Sequence, residues 1–256
     1  MRLSGLHFFR RLVISALFAG TIPAARAHDV AAIEESHQRR VASRVPAGFK
    51  FELPFVTPDA VDLKNAFPDW PRDETLAGQA DLDTVFAAQF SRTANDIAAA
   101  RRDANLNPME WAGELMGNDF NAARLPITAA LLARIDADFE PYSNRSPYEL
   151  RGRPKIRDSR IVPVIAYRFF SYPSARAAAT TIWANVLADA FLSRHEALQM
   201  HAIRSGWLQV ISGAHFPTDG TAGRLLGEAF LLELRKSETY RSALIQAREE
   251  LFGFGF

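Results

Sequence analysis

From about Asp73 to Leu251 the apolar residues recur at three- and four-residue steps and almost nowhere alternate as a half-buried strand requires. Leu82, Phe86, Phe90, Thr93 and Ile97 follow one another in that way, striping one face of a helix from about Asp73 to Ala104. Asn105-Leu106-Asn107-Pro108 ends that helix and caps the next, because asparagine suits an N-cap and proline a first helical position. The same reading predicts helices over about 108–117, 126–138, 174–192, 194–212, 218–236 and 238–251. A short β-branched stretch, Ile161-Val162-Pro163-Val164, is interrupted by a proline that a central strand excludes. The expected fold is all-α, a single-domain helical bundle without internal repeats, spanning residues 73–256.

Residues 28–72 read differently. Pro46, Pro54, Pro58, Pro68 and Pro71 interrupt any period, so this segment is expected to be an extended arm, with room for one short helix near Val30 to Arg44. Phe49, Phe51, Phe55, Phe67 and Trp70 would anchor it on the main body, since so much aromatic surface gains by leaving water. At the other end, the glycines of Phe252-Gly253-Phe254-Gly255-Phe256 suggest a frayed tail or a small clip.

Residues 1–27 carry Arg2, Arg10 and Arg11, an apolar run from Leu12 to Thr21, and Ala25-Arg26-Ala27. That is the pattern of a secretory leader, cleaved after Ala27 and directing the protein to the periplasm or the medium. About ten apolar residues are too few to span a bilayer, which needs about twenty, and charges interrupt every later apolar stretch, so no stable membrane insertion is expected. Cleavage removes four arginines and no acid, moving the formal net charge from +1 to −3. A general nucleic-acid binder needs a basic surface and is excluded on that ground. The absence of cysteine excludes disulfides, thiolate metal sites and cysteine nucleophiles.

His215 and Asp219 stand four residues apart, the spacing that puts two side chains on one helical face. A carboxylate on one ring nitrogen fixes the tautomer and makes the other nitrogen a better base or nucleophile. By spacing alone the pair reads more readily as a structural contact at a helix start, with Thr218 or Asp219 as the cap. Its surroundings are Arg153-Pro154 after Tyr148, then Tyr172-Pro173-Ser174 opening an alanine-rich helix, then Gly213-Ala214-His215 with Asp219 and Gly223 beyond.

This order resembles the bacterial class A non-specific acid phosphatases, a branch of the type 2 phosphatidic acid phosphatase and vanadium haloperoxidase superfamily. The resemblance takes in Asp103-Ala104-Asn105-Leu106-Asn107-Pro108, the three motif regions and the last helix from Glu238 to Leu251. It implies that bundle's helical fold, hydrolysis of phosphate monoesters through a phosphohistidine, no metal and no cofactor. Residue by residue it makes His215 the nucleophile, Asp219 its orienting partner, and Arg153 and Ser174 phosphate-binding residues. All three motifs depart from the pattern, at five positions. The first-motif lysine has no counterpart at the family spacing, where Ser146 stands, and Arg145 would serve only with one more residue in the turn. The second-motif Gly-His reads Ala175-Arg176, and the third-motif Ser-Arg reads Leu208-Gln209. Arg176 cannot be the leaving-group acid because a guanidinium keeps its proton, but it can replace the cation lost at Gln209.

Two functions follow as expectations. One is an exported acid phosphatase of reduced activity, acting on a small phosphorylated substrate. The other is a catalytically inactive relative that binds inorganic phosphate or a phospho-ligand, or serves as a scaffold. A vanadate haloperoxidase would need the missing lysine, arginine and histidine. The family is often oligomeric, so a homo-oligomer is compatible, although no residue marks an interface. His195 and His201 read as surface or supporting residues, His201 being the better substitute acid. Arg168 and Arg204 read as solvated or lining the site entrance, Trp183 and Trp207 as core, and Glu249-Glu250 as a solvated face.

Overall fold

A computed structural model describes residues 48–168 and 170–256. The leader and the short helix expected near Val30 lie outside the described residues. The described chain is all-α, with helices α1 (Leu63–Ala66), α2 (Leu76–Ser91), α3 (Ala94–Asp103), α4 (Pro108–Met116), α5 (Pro126–Ser143), α6 (Pro154–Arg157), α7 (Ala175–Ala190), α8 (His195–Ile211), α9 (Pro217–Lys236) and α10 (Glu238–Gly253), and a 3₁₀ turn at Leu192–Arg194.

The bundle is built around α7, which packs most extensively against α8 and α9. Ala177, Ala178, Thr180, Thr181, Ile182, Trp183, Ala184, Val186, Leu187 and Ala188 are all buried, so α7 has a covered circumference rather than an apolar stripe. Its two buried threonine hydroxyls donate to helix carbonyls, Thr181 to Ala177 O at 2.8 Å and Thr180 to Arg176 O at 3.0 Å. Two glycines let α9 approach. A Cβ on Gly223 would stand 2.3 Å from Ser174 O, and one on Gly227 would stand 2.8 Å from Ala178 O. No side chain fits at that separation, so the glycines draw the start of α9 against the start of α7.

The helix expected over 73–104 is two helices. Arg92 leaves helical geometry and Thr93 starts α3 with a capping box, Thr93 Oγ1 accepting from Asp96 N at 3.2 Å and Asp96 Oδ2 accepting from Thr93 N at 2.8 Å. The buried face of α2 also differs from the predicted stripe, being Gly78, Asp81, Val85 and Ala88, while Phe90 is 83% exposed. Gly78 is buried against the backbone of Arg72 and Asp73, and Val85, Ala88, Ile161, Val210 and Phe216 form a small core of their own.

The segment from Gly48 to Arg72 holds only α1 and docks through its backbone as well as its aromatics. Asp138 Oδ2 accepts from Phe55 N at 2.7 Å and from Val56 N at 3.3 Å. Tyr142 Oη accepts from Ala60 N and Val61 N and donates to Thr57 O at 2.5 Å. Phe55 and Phe67 are buried, and Phe51 and Trp70 pack against the same core. At the C-terminal end α10 runs to Gly253, and Phe256 then meets Phe120 and Phe191 edge-on, so the tail is a clip.

Glu250 corrects the expectation of a solvated Glu249-Glu250 face. It is buried on α10 and caps α5, whose own N-cap Leu125 has no side-chain acceptor. Its carboxylate accepts from Ile127 N and Thr128 N at 2.8 Å each and from Thr128 Oγ1 at 2.7 Å. Replacing Glu250 by alanine strands those donors and is expected to lower stability by about 1–3 kcal/mol, read as a lower urea midpoint at unchanged slope.

Candidate active site

The last turn of α8 and the first turn of α9 create the centre of the site. After Ile211 the chain reverses at Gly213, whose φ of +72° suits glycine, and a Cβ there would press within 3.3 Å of Ile161 and Pro163. Ala214 N and His215 N then donate to Gln209 O at 3.2 and 3.3 Å. Pro217 takes the first position of α9, and Asp219 Oδ2 accepts from Phe216 N at 2.8 Å, fixing the helix start. Phe216 is fully buried, worth about 1.5–3 kcal/mol, and roots His215 in the small core beneath it.

His215 Nδ1 lies 3.3 Å from Asp219 Oδ2, within ion-pair range but outside hydrogen-bond geometry. On the other side Nε2 lies 3.0 Å from Arg153 Nη1. A guanidinium only donates, so Nε2 faces it with a lone pair and the ring proton belongs on Nδ1, toward the carboxylate. Burial pushes the His215 pKa below the usual 6.5, Asp219 opposes, and Arg153 adds to the lowering. The imidazole therefore stays neutral to lower pH than a free histidine does, which suits a nucleophile. Because the folded value is depressed, the native state binds fewer protons than the unfolded chain between the two values. His215 thus withdraws stability as the pH falls through 6.5. An NMR titration of the histidine assigned by loss in His215→Ala should give a midpoint below 6.5; a higher midpoint would mean that Asp219 outweighs burial.

A cavity of about 310 Å³ opens beside this ring, and Arg153, Tyr167, Arg168, Arg176 and Phe170 line it with His215. A larger cavity, of about 750 Å³ between α4 and α5, contains none of these residues. Arg153 is held by Ala214 O and Phe170 O, both at 2.9 Å. Arg176, with its side chain 11% exposed, gives Nε to Asp103 Oδ2 at 3.1 Å and Nη1 to Leu106 O at 3.0 Å, while its buried Nη2 has no partner. Gln209 is fully buried; its Oε1 accepts from Tyr167 Oη at 2.8 Å and its Nε2 has no partner.

Three of the sequence-derived phosphate-site residues are not among those lining the cavity: Gln209, which meets it only through Tyr167, and Ser174 and Arg145. Ser174 Oγ accepts from Ala177 N at 3.3 Å as the cap of α7, and its own N–H donates to Asp219 O, so it ties the helix starts together rather than lining the cavity. Arg145 turns to the arm, donating to Pro58 O at 2.9 Å with Asp59 at 3.4 Å, and it is not among the cavity-lining residues. The turn after α5 sends it outward, which corrects its assignment to the phosphate site.

No protein-family model matches the chain. It is 36% identical over 209 residues to the non-specific acid phosphatase of Salmonella typhi, covering 77% of this chain and 84% of that protein. The non-specific acid phosphatase of Salmonella typhimurium strain LT2 gives the same identity and coverage. The chain belongs to the non-specific acid phosphatase family.

Within this acid phosphatase family member the structure adds a buried network that sequence reasoning missed. Arg151, 2% exposed, donates Nη1 to Asp219 Oδ1 at 2.7 Å and to Thr218 Oγ1 at 2.8 Å, and Nη2 to Asp81 Oδ2 at 2.7 Å. Thr218 Oγ1 in turn donates to Asp81, and Ser171 Oγ donates to Asp219 Oδ2. The guanidinium stacks 3.9 Å over the Phe216 ring. The signal was the doubled arginine of Arg151-Gly152-Arg153-Pro154, of which only the second was read. His201 stacks on Trp111 with Nε2 3.1 Å from Trp111 O, and His195 is exposed at the start of α8; neither lines the cavity. Trp183 is core as expected, but Trp207 is 46% exposed because its side of α8 faces away from α7.

Proposed function

We infer that this protein hydrolyses phosphate monoesters, His215 attacking phosphorus to form a phosphohistidine that water then cleaves. The family supports the substrate class. The observation that carries the reading is an imidazole, its proton directed toward Asp219, that faces a cavity lined by the guanidinium groups of Arg153, Arg168 and Arg176. Arg153 and Arg176 present cationic N–H, and the buried Arg176 Nη2 lacks an acceptor. A buried donor without a partner costs about 1–3 kcal/mol, and phosphoryl oxygens would supply what is missing. The same donors would neutralise charge as it spreads over the transferring phosphoryl group.

Arg176 then has a definite part. It stands where the family resemblance calls for an acid and holds a fixed cation, braced by Asp103 and Leu106. It offsets the missing third-motif arginine at Gln209, so anion binding survives the loss of the usual acid, and turnover is reduced. Residues 1–27 support export to the periplasm or medium, with residues 28–72 as an arm on the helical domain of 73–256. The superfamily assignment rests on the same motif order.

The test is to mix the purified protein with an aryl phosphate, quench at alkaline pH, and look by mass spectrometry for a phosphoryl group on the peptide containing His215. Its appearance is the expected result. Phosphate binding without any phosphohistidine would instead establish the inactive binder, a reading favoured by the replacement of the second-motif histidine with Arg176.

A further inference from the structure

We propose that Tyr167 is the acid that protonates the leaving group, in place of the imidazole that the second motif lacks. The inference rests on the phosphohistidine reading of His215. Tyr167 lines the cavity, and its ring centroid lies 5.8 Å from that of His215. The Arg153 guanidinium sits 4.7 Å over the phenol ring, and the hydroxyl is anchored 2.8 Å from Gln209 Oε1. Gln209 in turn holds the backbone of Ala214 and His215 through its own carbonyl. The phenol is therefore braced on the residue that positions the nucleophile.

Elimination points the same way. Among the cavity-lining side chains, Arg153, Arg168 and Arg176 keep their protons, and His215 is spent as the nucleophile. The Ser143 hydroxyl, an aliphatic alcohol bonded to Glu140 O, is a far weaker acid than a phenol, and the Asn144 amide is no acid. His201 lies outside the cavity. Tyrosine has a transferable proton and serves as a general acid elsewhere. Burial raises the pKa of the Tyr167 phenol, with Arg176 and Arg153 partly opposing, so the phenol keeps its proton where His215 is neutral.

The step balances without another reagent. The Arg153 N–H that Nε2 accepts turns to a phosphoryl oxygen, and the freed Nε2 lone pair forms the N–P bond as the P–O bond to the leaving group breaks. The electron pair goes to the leaving oxygen, which takes the Tyr167 proton as that O–H rotates away from Gln209 Oε1, leaving a phenolate. Water then attacks phosphorus and gives its proton to the phenolate. The N–P electron pair returns to Nε2, and inorganic phosphate leaves.

A leaving group that needs protonation should feel the loss of Tyr167 most. The experiment compares p-nitrophenyl phosphate with glycerol phosphate as substrates for the parent, Tyr167→Phe and Tyr167→His, with circular dichroism to establish folding and phosphohistidine trapping on each. Tyr167→Phe is expected to lose about 10²–10⁴-fold on glycerol phosphate and less than tenfold on the aryl ester. Tyr167→His, which restores an acidic proton, should recover part of the alkyl rate. Equal losses on both substrates, or no loss on either, would overturn the role of Tyr167 while leaving phosphohistidine chemistry intact. Absence of phosphohistidine in the parent would overturn the reading of His215 and this inference with it.

Discussion

Replacing Arg151 by leucine is expected to destabilise the protein by about 3–5 kcal/mol, the usual cost of removing one partner from a buried ion pair. Asp81 and Asp219 are both buried, and each meets the guanidinium at 2.7 Å. Leucine would leave two carboxylates and the Thr218 hydroxyl in the interior without the cation that joins them. Lysine should recover only part of the loss, because a point charge on a flexible stem cannot span acceptors on both sides as a planar fork does. Urea unfolding of the two variants beside Arg153→Leu provides the measurement. Arg153, which bonds carbonyls and the imidazole rather than carboxylates, should cost less. A change of under about 1 kcal/mol for Arg151→Leu would mean that the carboxylates find water or other partners, contrary to their burial.

Replacing His215 by alanine should have the opposite profile, nearly abolishing turnover while sparing the fold. Removing a nucleophile costs on the order of 10⁴-fold or more, whatever its neighbours still contribute. The donors at Arg153 and Arg176 remain, so inorganic phosphate should still bind and protect against unfolding. Aryl phosphate hydrolysis should fall to the buffer background. Rates retained in His215→Ala would show that another group, or water itself, attacks phosphorus.

The helix starts were legible because their caps are local. Asn107 and Ser174 each accept from the backbone three residues on, and Pro108 and Pro217 stand at first helical positions. The break at Arg92-Thr93 was missed although Thr93 and Asp96 spell a capping box, because apolar spacing continued across it. The inward face of α2 differs from the stripe for a related reason: a stripe rests on large side chains, whereas Gly78 is buried against the backbone of Arg72 and Asp73 and Ala88 belongs to the small core with Val210 of α8. At the site, His215 and Asp219 could be paired from sequence because their spacing is local. Arg151 could not, since its partners Asp81 and Asp219 lie about seventy residues away on either side. The direction of Arg145 depends on a turn whose course its own residues do not specify, and Glu250 was read as solvated because its partners stand on α5, on the far side of the sequence.

Asp219 joins more of the molecule than its place beside the histidine requires. Its backbone carbonyl accepts from Ser174 N, and its carboxylate serves Arg151, Ser171 and the N–H of Phe216. Of its side-chain contacts, that with His215 is the longest. A descendant of this protein could abandon phosphoryl transfer altogether and still be unable to discard Asp219 without loosening three chain segments at once. The persistence of that acid in a related sequence therefore says little about whether the sequence is an enzyme. The side chains that line the cavity beside the imidazole, Tyr167 among them, are the better witnesses to what a lineage still does.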